Sequence, residues 1–462
     1  MNALASSPIA DQLLDLSTPH RIHVVGAGGS GMSAIAGVLL TMGHDVSGSD
    51  SAPSAVLDRL AAAGAKVHAG HQPAVVEGVD VVLVSTAIPA DDPEVVAARA
   101  AGIPVLRRAE ALAAICAVRR TLAVSGTHGK TTTTAMLALA LREAGASPSF
   151  IVGGDIGGLG TGSAWDDGEW FVVEADESDG TFVELGAHGV IVTNVEPDHL
   201  DHWGDFENLR AAFVRFVAEA DGPRVVCVDD PGAAALAAEV EGCTTYGTIE
   251  GARYHLTDVV TDRDGVRFRV NGRDVSLPVP GLHNACNATA VLALCTELGV
   301  DPDAVVRALG SFAGVGRRFE RRGEAGGVTF VDSYDHLPTE VAAVLAAAKA
   351  GAWRRVVCVF QPHRYTRTAA LWRDFADAFV DADVLAVTGI YAAGQQPIDG
   401  ISGKLIVDAV LDAHPRSRVA WLPEREDLRR WLVTELRPGD LCLTLGAGDL
   451  TTLPDELLRS IS

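Results

Sequence analysis

Two glycine-rich turns, each set between a β-branched run and a helix start, limit what this chain can fold into more than any other feature. The first is GAGGSGM (Gly26–Met32) after HVV, and the second is GTHGKTT (Gly126–Thr132) after LAVS. A strand that ends in glycines and runs straight into a helix presents backbone N–H groups and a positive helix end to phosphate. Two such units predict a parallel α/β architecture with more than one nucleotide-sized domain.

The rest of the chain repeats this alternation. From Arg21 to about Leu112, short runs such as RIHVVGAG, DVSGSD and VDVVLVSTAI alternate with alanine- and leucine-rich helical stretches. A second block opens at RTLAVSGTHGKT and continues through WFVVEADESD, HGVIVTNVEPDHLD and PRVVCVDD to a more strand-like patch, YHLTDVVTDRDGVRFRVNGRDVSLPVPG. A third follows FERRGEAGGVTFVDSY, with RRVVCVFQPHR, ADVLAVTGIY and DLCLTLGAGDL as buried-looking strands. The 462 residues suit about three domains, and the expected division is 1–115, 116–320 and 321–462. The fold class expected is α/β, with a Rossmann-like first domain, a central domain of P-loop ATPase type and a Rossmann-like third.

Charge and cysteine usage exclude other classes. A net charge of −23 repels nucleic acid unless a local basic patch intervenes, so no nucleic-acid partner is expected. Seven cysteines without a CxxC pair read as reduced core residues. Residues 1–20 lack a basic-then-apolar leader, and no run reaches the ~18 apolar residues of a membrane span, so a cytoplasmic protein without a membrane partner is expected, as monomer or homodimer.

Each loop allows more than one reading. Gly26, Gly28 and Gly31 form GxGxxG, and Asp50 ends the next strand where a ribose-binding acid sits in dinucleotide folds. A structural turn and another nucleotide remain open, and Gly29 and Gly31 around Ser30 leave room for a diphosphate. In the second loop Lys130 suits the β/γ-phosphates and Thr131 a Mg²⁺, although Val124 stands where the strict P-loop pattern has glycine. Two clusters follow at predicted strand ends, Glu174-Ala-Asp176-Glu177-Ser178-Asp179 and Asn194 to His202 with Glu196, Asp198 and His199. Solvated turns are the alternative, but acids and imidazoles opposite a P-loop supply the oxygen and nitrogen ligands of a metal. Hydride transfer has no use for this second site. The combination points to ATP-driven chemistry on a second nucleotide-like substrate.

The motifs, in order, resemble the Mur ligase family of peptidoglycan synthesis, and its alanine-adding branch most. They are GxGGxGM at Gly26, GTHGKTTTT at Gly126, EADESD at Glu174, NVEPDHLD at Asn194, GLHNACNATAV at Gly281, RRFE at Arg317, FQPHRYTRT at Phe360 and LGAGD at Leu445. The resemblance implies UDP-N-acetylmuramate and L-alanine as substrates, ATP and Mg²⁺ as cofactors, and an acyl-phosphate intermediate. It gives the first loop to the UDP-sugar through Gly26, Gly28, Gly29, Ser30, Gly31, Met32, Asp50 and Ser85. It gives ATP to Gly126, Thr127, Gly129, Lys130, Thr131, Thr132, His283, Asn284, Asn287, Arg318 and Asp332. The metal falls to Thr131, Glu174 and His199, and catalysis to Lys130, Glu174, His199 and Arg318. The amino acid and growing substrate meet Tyr334, His336, His363, Arg364, Tyr365 and Arg367. Domain closure, with hinges near 115 and 320, is expected to shield the acyl phosphate from water.

The chain also departs from the family pattern. DDYGHHPTE stands here as DSYDHLPTE, with Ser333, Asp335 and Leu337 in place of an acid, a small residue and a histidine. Leucine cannot donate a hydrogen bond or take a proton, so either turnover is reduced or that histidine is dispensable. Phe213 stands near the lysine that sister ligases carbamoylate. A tripeptide-adding recycling ligase, a non-catalytic UDP-sugar binder and a nicotinamide-dependent dehydrogenase remain as alternatives.

Overall fold

The computed structural model describes residues 14–85 and 87–461, so the leaderless start read from residues 1–20 lies largely outside the described residues. The chain divides into two compact units. One comprises the residues up to His255 together with Asn287–Leu309, the other Leu256–Cys286 and the residues from Gly310 onward.

The first unit opens with five parallel strands, β1 (Arg21–Val25), β2 (Asp45–Asp50), β3 (Lys66–Ala69), β4 (Val81–Val84) and β5 (Val105–Arg107), in the order β3-β2-β1-β4-β5. The order reverses beside β1, which opens a crevice at the strand carboxyl ends. Helices α1 (Ser30–Thr41), α2 (Ala55–Ala62), α3 (Pro93–Ala100) and α4 (Arg108–Cys116) cover the faces. α1 buries Met32, Ile35, Ala36, Val38 and Leu39, a helical spacing that turns one face to the sheet. Asp92 accepts from the N–H groups of Glu94 and Val95, and with Pro93 behind it this starts α3.

The same unit holds β6 (Arg120–Ser125), β7 (Ser149–Ile156), β8 (Thr161–Ala164), β9 (Trp170–Glu174), β10 (Gly189–Val192), β11 (Arg224–Cys227) and β12 (Cys243–Gly247), ordered β12-β11-β10-β6-β9-β7-β8. All pairings are parallel except β7 with β8. Helix α5 (Lys130–Glu143) leaves the second glycine turn. Its residues Thr131–Leu137 are all buried, as a helix at the centre of an α/β domain must be. Phe213 is fully buried, its ring 5.0 Å from that of Phe182.

The second unit contains the strand-like patch as an antiparallel meander of β13 (Tyr254–Asp262), which starts in the first unit, β14 (Gly265–Val270) and β15 (Arg273–Leu277). Its main sheet has β16 (Glu320–Ala325), β17 (Val328–Ser333), β18 (Arg355–Phe360), β19 (Val384–Val387), β20 (Val419–Trp421) and β21 (Asp440–Leu445), ordered β16-β17-β21-β18-β19-β20. Only β16 runs antiparallel, joined to β17 by Gly326 and Gly327 at φ 58° and 74°, the left-handed pair a two-residue hairpin turn requires. Along β18, Val356, Cys358 and Phe360 enter one core while Val357 and Val359 enter the other. The twofold side-chain period thus lets one apolar run serve both faces of a covered sheet.

The cysteine expectation needs one correction. None of the seven is in a disulfide, but Cys243 and Cys286 are only half-buried: Cys243 opens the short strand β12 and Cys286 lies in the first turns of the helix Leu282–Glu297. Among the described residues no helix is long and apolar enough to cross a membrane.

Candidate functional site

The second glycine loop is built by what surrounds it. Gly126 has φ +135° and Gly129 φ +79°, which only glycine adopts without strain. A side chain at Gly126 would collide with Thr193 Oγ1, and one at Gly129 would lie 2.9 Å from Asn287 Oδ1. Residues at the end of β10 hold the loop from the other side. Asn194 Oδ1 accepts from the N–H of His128 at 2.7 Å, and Thr193 Oγ1 donates to the His128 carbonyl at 2.5 Å. Glu196 pairs with His128 Nε2 at 3.1 Å, while its backbone exchanges hydrogen bonds with Thr127 Oγ1. Asn194 and Glu196 therefore brace the phosphate loop, a role the sequence did not separate from metal binding.

Lys130 Nζ donates to the Gly126 carbonyl at 2.6 Å and to both carboxylate oxygens of Glu177 at 2.8 and 3.0 Å. Burial alone would lower the ammonium's pKa, but the Glu177, Asp176 and Glu174 carboxylates outweigh it and hold it above its ordinary value. Burial and Asp176 push Glu177 up to about 7, against the pull of Lys130. The four-acid cluster thus divides by role. Glu177 is buried against the lysine, whereas Glu174 accepts from Thr131 Oγ1 at 3.0 Å and from the N–H of Gly153 at 2.9 Å. A side chain at Gly153 would come within 2.6 Å of that carboxylate.

A hydroxyl and a carboxylate beside a lysine form the hard-oxygen set that fits Mg²⁺, which usually keeps few protein ligands because phosphate and water supply the others. His199, the third expected ligand, sits at φ +52° ahead of the short helix Leu200–Trp203, its Nε2 3.3 Å from Asp198 Oδ2. Among the described residues, the one close set of three His, Asp or Glu ligand atoms lies elsewhere, at His71, Asp92 and Glu94. There Glu94 is already filled by His23 Nε2 at 3.2 Å, the Ser49 hydroxyl and the N–H of Gln72. That set is a hydrogen-bond hub tying β1, β2 and α3 together.

The first loop is more open. Gly26 (φ +81°) and Ala27 donate to the Ser49 carbonyl, and Asp50 Oδ2 accepts from the N–H of Gly28 at 2.9 Å. Asp50 therefore folds the loop, and a side chain at Gly28 would lie 2.7 Å from its oxygen. Gly29 caps α1 without any side chain and no acid stands in its first turn, so the negative charge at this helix end is the Asp50 carboxylate on the Gly28 N–H. Met32 is buried in the core and Ser85 Oγ accepts from the N–H of Ala87 at 3.2 Å, which places both as supports of the crevice.

In the second unit, Asn284 Nδ2 donates to the Pro280 carbonyl at 2.7 Å, and burial lowers His283 to a pKa of about 4. Arg318 lies between Arg317 (φ +60°) and Phe319 (φ +50°), both left-handed. Ser333 Oγ accepts from the N–H of Phe319 at 3.0 Å and donates to Asp335, while the Tyr334 N–H bonds the Arg317 carbonyl at 2.8 Å. Both guanidinium groups stand over the Tyr334 ring, 4.7 and 5.1 Å from its centre. Asp332 is buried, accepting from Thr444 and Thr451 hydroxyls at 2.7 and 2.6 Å and lying 3.5 Å from Arg317 Nε. Burial and Glu340 push Asp335 up to about 6, opposed by Arg318. Leu337 is buried as the N-cap of the helix Pro338–Ala350, whose Glu340 accepts from the N–H groups of His336 and Leu337 at 2.9 and 3.1 Å.

His363 stacks on Tyr391 at 5.8 Å and meets the His336 ring edge-on at 5.4 Å. Arg367 Nη1 reaches His363 Nδ1 at 3.0 Å. Burial, then His336, Arg367, Arg364 and Arg317, lower His363 to a pKa of about 3, so it is neutral near pH 7. Arg364, at φ +67°, and half-buried Tyr365 begin the helix that follows. Tyr334, His336, His363 and Arg367, expected at the amino acid, stand beside one another in the structure, while the sequence does not single out Glu177 or Asn194. Both lie in clusters whose composition points to metal binding, whereas the structure puts Glu177 on Lys130 and Asn194 on the N–H of His128.

Three family models match in succession: "Mur ligase family, catalytic domain" over residues 21–120, "Mur ligase middle domain" over 124–295 and "Mur ligase, glutamate ligase domain" over 317–448. UDP-N-acetylmuramate–L-alanine ligase of Anaeromyxobacter sp. (strain Fw109-5) is 47% identical over 450 residues, covering 96% of this chain and 98% of that one. The enzyme of that name from Myxococcus xanthus (strain DK1622) is 46% identical over 95% of this chain and 94% of its own. The crystal structure of UDP-N-acetylmuramate-alanine ligase MurC from Thermotoga maritima superposes with a TM-score of 0.80 at 30% identity, covering 96% and 99% of the two chains. A murein peptide ligase from Psychrobacter arcticus shares the fold at a TM-score of 0.68 and 23% identity, over 96% and 98%. With glycine loops, acid clusters and the arginine-tyrosine array all in the matched order, this chain belongs to the Mur ligase family.

Proposed function

We propose that this chain joins L-alanine to the carboxylate of UDP-N-acetylmuramate at the expense of ATP, releasing ADP and phosphate. The observation that carries the reading is the second loop, in which Lys130 is held by Glu177 beside the Thr131–Glu174 pair. It is supported by relatives of that name aligned over 96% of the chain. The three-domain division near residues 115 and 320 belongs to this proposal.

The lactyl carboxylate of the substrate attacks the γ-phosphorus, the bond to the β-phosphate oxygen breaks, and an acyl phosphate and ADP result. Lys130 meets the charge that develops on the transferred phosphoryl group, which lets the ammonium exchange its Glu177 partner for phosphate oxygen. Bound Mg²⁺ neutralises charge on the phosphates, and Thr131, Glu174 and His199 are the residues to hold it. Gly126, Thr127, Gly129 and Thr132 shape the phosphate cradle, with Asn287 against Gly129. His283, Asn284, Arg318 and Asp332 are assigned to the nucleotide from the second unit. The alanine amine, once it has lost its ammonium proton, then attacks the acyl carbon, and phosphate leaves. Tyr334, His336, His363, Arg364, Tyr365 and Arg367 are assigned to this amino acid, whose carboxylate suits a guanidinium fork. The first loop, with Gly26, Gly28 to Met32, Asp50 and Ser85, is assigned to the UDP-sugar.

Phosphate release tests the reading, with ATP, Mg²⁺ and UDP-N-acetylmuramate plus L-alanine, plus a tripeptide, or plus neither. Release driven by L-alanine is expected. Release with the tripeptide alone moves the chain to the recycling branch, and none under any condition overturns the ligase reading.

A further inference from the structure

Ser333 and Asp335 are departures from the family pattern, and the structure couples them. Both are buried, and the Ser333 hydroxyl donates to the Asp335 carboxylate while its oxygen accepts from the N–H of Phe319 at 3.0 Å. A hydroxyl has one proton to give. Spending it on Asp335 leaves only lone pairs to face Phe319, which is what that N–H requires. The bond lands on the peptide that joins Arg318 to Phe319. On the other side of Arg318, the Tyr334 N–H bonds the Arg317 carbonyl at 2.8 Å, and the N–H of Arg318 itself goes to the Val315 carbonyl at 3.0 Å. Three consecutive residues, 333 to 335, therefore hold both peptides that flank this arginine.

Those flanking conformations need holding. Arg317 at φ +60° and Phe319 at φ +50° lie where a residue with a side chain persists only if its surroundings over-determine it. Arg317 has further anchors, since its guanidinium donates to the carbonyls of Gly446 and Gly448 at 2.9 and 3.2 Å and lies 3.5 Å from Asp332. The Ser333–Asp335 pair therefore matters most on the Phe319 side, where loss of the acid frees the hydroxyl to turn and weakens its grip. The Arg318 guanidinium also feels the acid directly, because it opposes the rise that burial and Glu340 impose on the Asp335 carboxyl. We infer that Asp335 is a positioning residue which, acting through the Ser333 hydroxyl, sets how Arg318 is presented to the nucleotide. The inference rests on the assignment of Arg318 to the nucleotide.

Calorimetric titration with ADP and Mg²⁺, at a temperature where every variant is folded, tests it. Asp335→Ala and Ser333→Ala should each weaken ADP binding roughly 3- to 10-fold, the scale of one hydrogen bond. The double variant should lose no more than the larger single loss, because the two residues act in series. Asp335→Asn keeps a carbonyl acceptor for the hydroxyl and should recover part of the affinity. A residue that only stabilised the fold would lower the melting temperature and leave ADP affinity unchanged; that result, or losses that add in the double variant, overturns the inference. Where Asp335→Ala does not fold, unchanged ADP affinity in Ser333→Ala overturns it equally. If the unaltered protein binds no ADP, or Arg318→Ala binds it as tightly, the nucleotide assignment falls and the inference with it; ADP binding that needs Arg318 and ignores Asp335 overturns the inference alone.

Discussion

The two glycine loops share one shape and differ in where their positive charge comes from. The second carries Lys130 within its own sequence, locks it on Glu177, and is braced from behind by Thr193, Asn194 and Glu196. The first carries no cation; Asp50 folds it, and the Arg108 guanidinium, beside Gly31, arrives from a helix more than seventy residues later in the chain. A loop that supplies its own charge is written in one motif. A loop that borrows it is completed only by the tertiary fold.

That contrast can be broken at its strongest point first. Lys130→Ala should lower kcat by roughly 10²–10³-fold or more, the scale of losing one group that stabilises transition-state charge, with UDP binding at the first loop unchanged in titration. Equal loss at both loops would show that they do not act separately. Next comes the backbone. Gly126→Ala should destabilise the protein by about 2–4 kcal/mol, combining a left-handed φ with the collision at Thr193. Gly29→Ala, at φ −70° with its nearest new neighbour 3.4 Å away, should cost less than about 1 kcal/mol; denaturant midpoints decide between them.

Metal dependence is a smaller effect. Glu174→Gln keeps the Thr131 and Gly153 contacts close to their present shape while removing the charge, and should raise the Mg²⁺ concentration for half-maximal rate about tenfold. An unchanged titration would remove Glu174 from the metal.

The smallest expected effect is a pH slope. Glu177 is lifted to about 7, so the folded protein holds its proton more tightly than the unfolded chain. Its contribution is therefore complete below the ordinary glutamate value and is lost as pH rises towards about 7. Melting temperatures between those limits should fall less steeply in Glu177→Gln than in the unaltered protein.

The parts of the site legible in the sequence are those that backbone geometry demands locally. Gly126, Gly129 and Lys130 follow from one turn, and the parallel pairing of β1 to β5 follows from the alternation of apolar runs and helices. Partnerships across the fold were not legible. Four acids in six residues do not say that Glu177 faces the lysine and Glu174 the threonine, because which acid turns inward depends on the 3₁₀ turn Glu177–Asp179. The sequence does not tell that the departures at Ser333 and Asp335 belong together, yet the two side chains bond each other and Ser333 holds the Phe319 N–H. Leu337 is buried at the start of the helix Pro338–Ala350, and Phe213, which stands near the position of a lysine in sister ligases, packs in the core against Phe182.

The left-handed neighbours of Arg318 have a consequence for motion. A backbone held in that region on both sides of a residue is separated from the ordinary helical and extended regions by steric barriers, so it does not drift by small steps. The backbone that carries Arg318 is therefore a stiff mount, which on the proposed assignment of this arginine to the nucleotide fixes the root of its side chain in advance. Under that assignment, binding orders the side chain alone and loses less entropy than binding that must also order a freely moving loop.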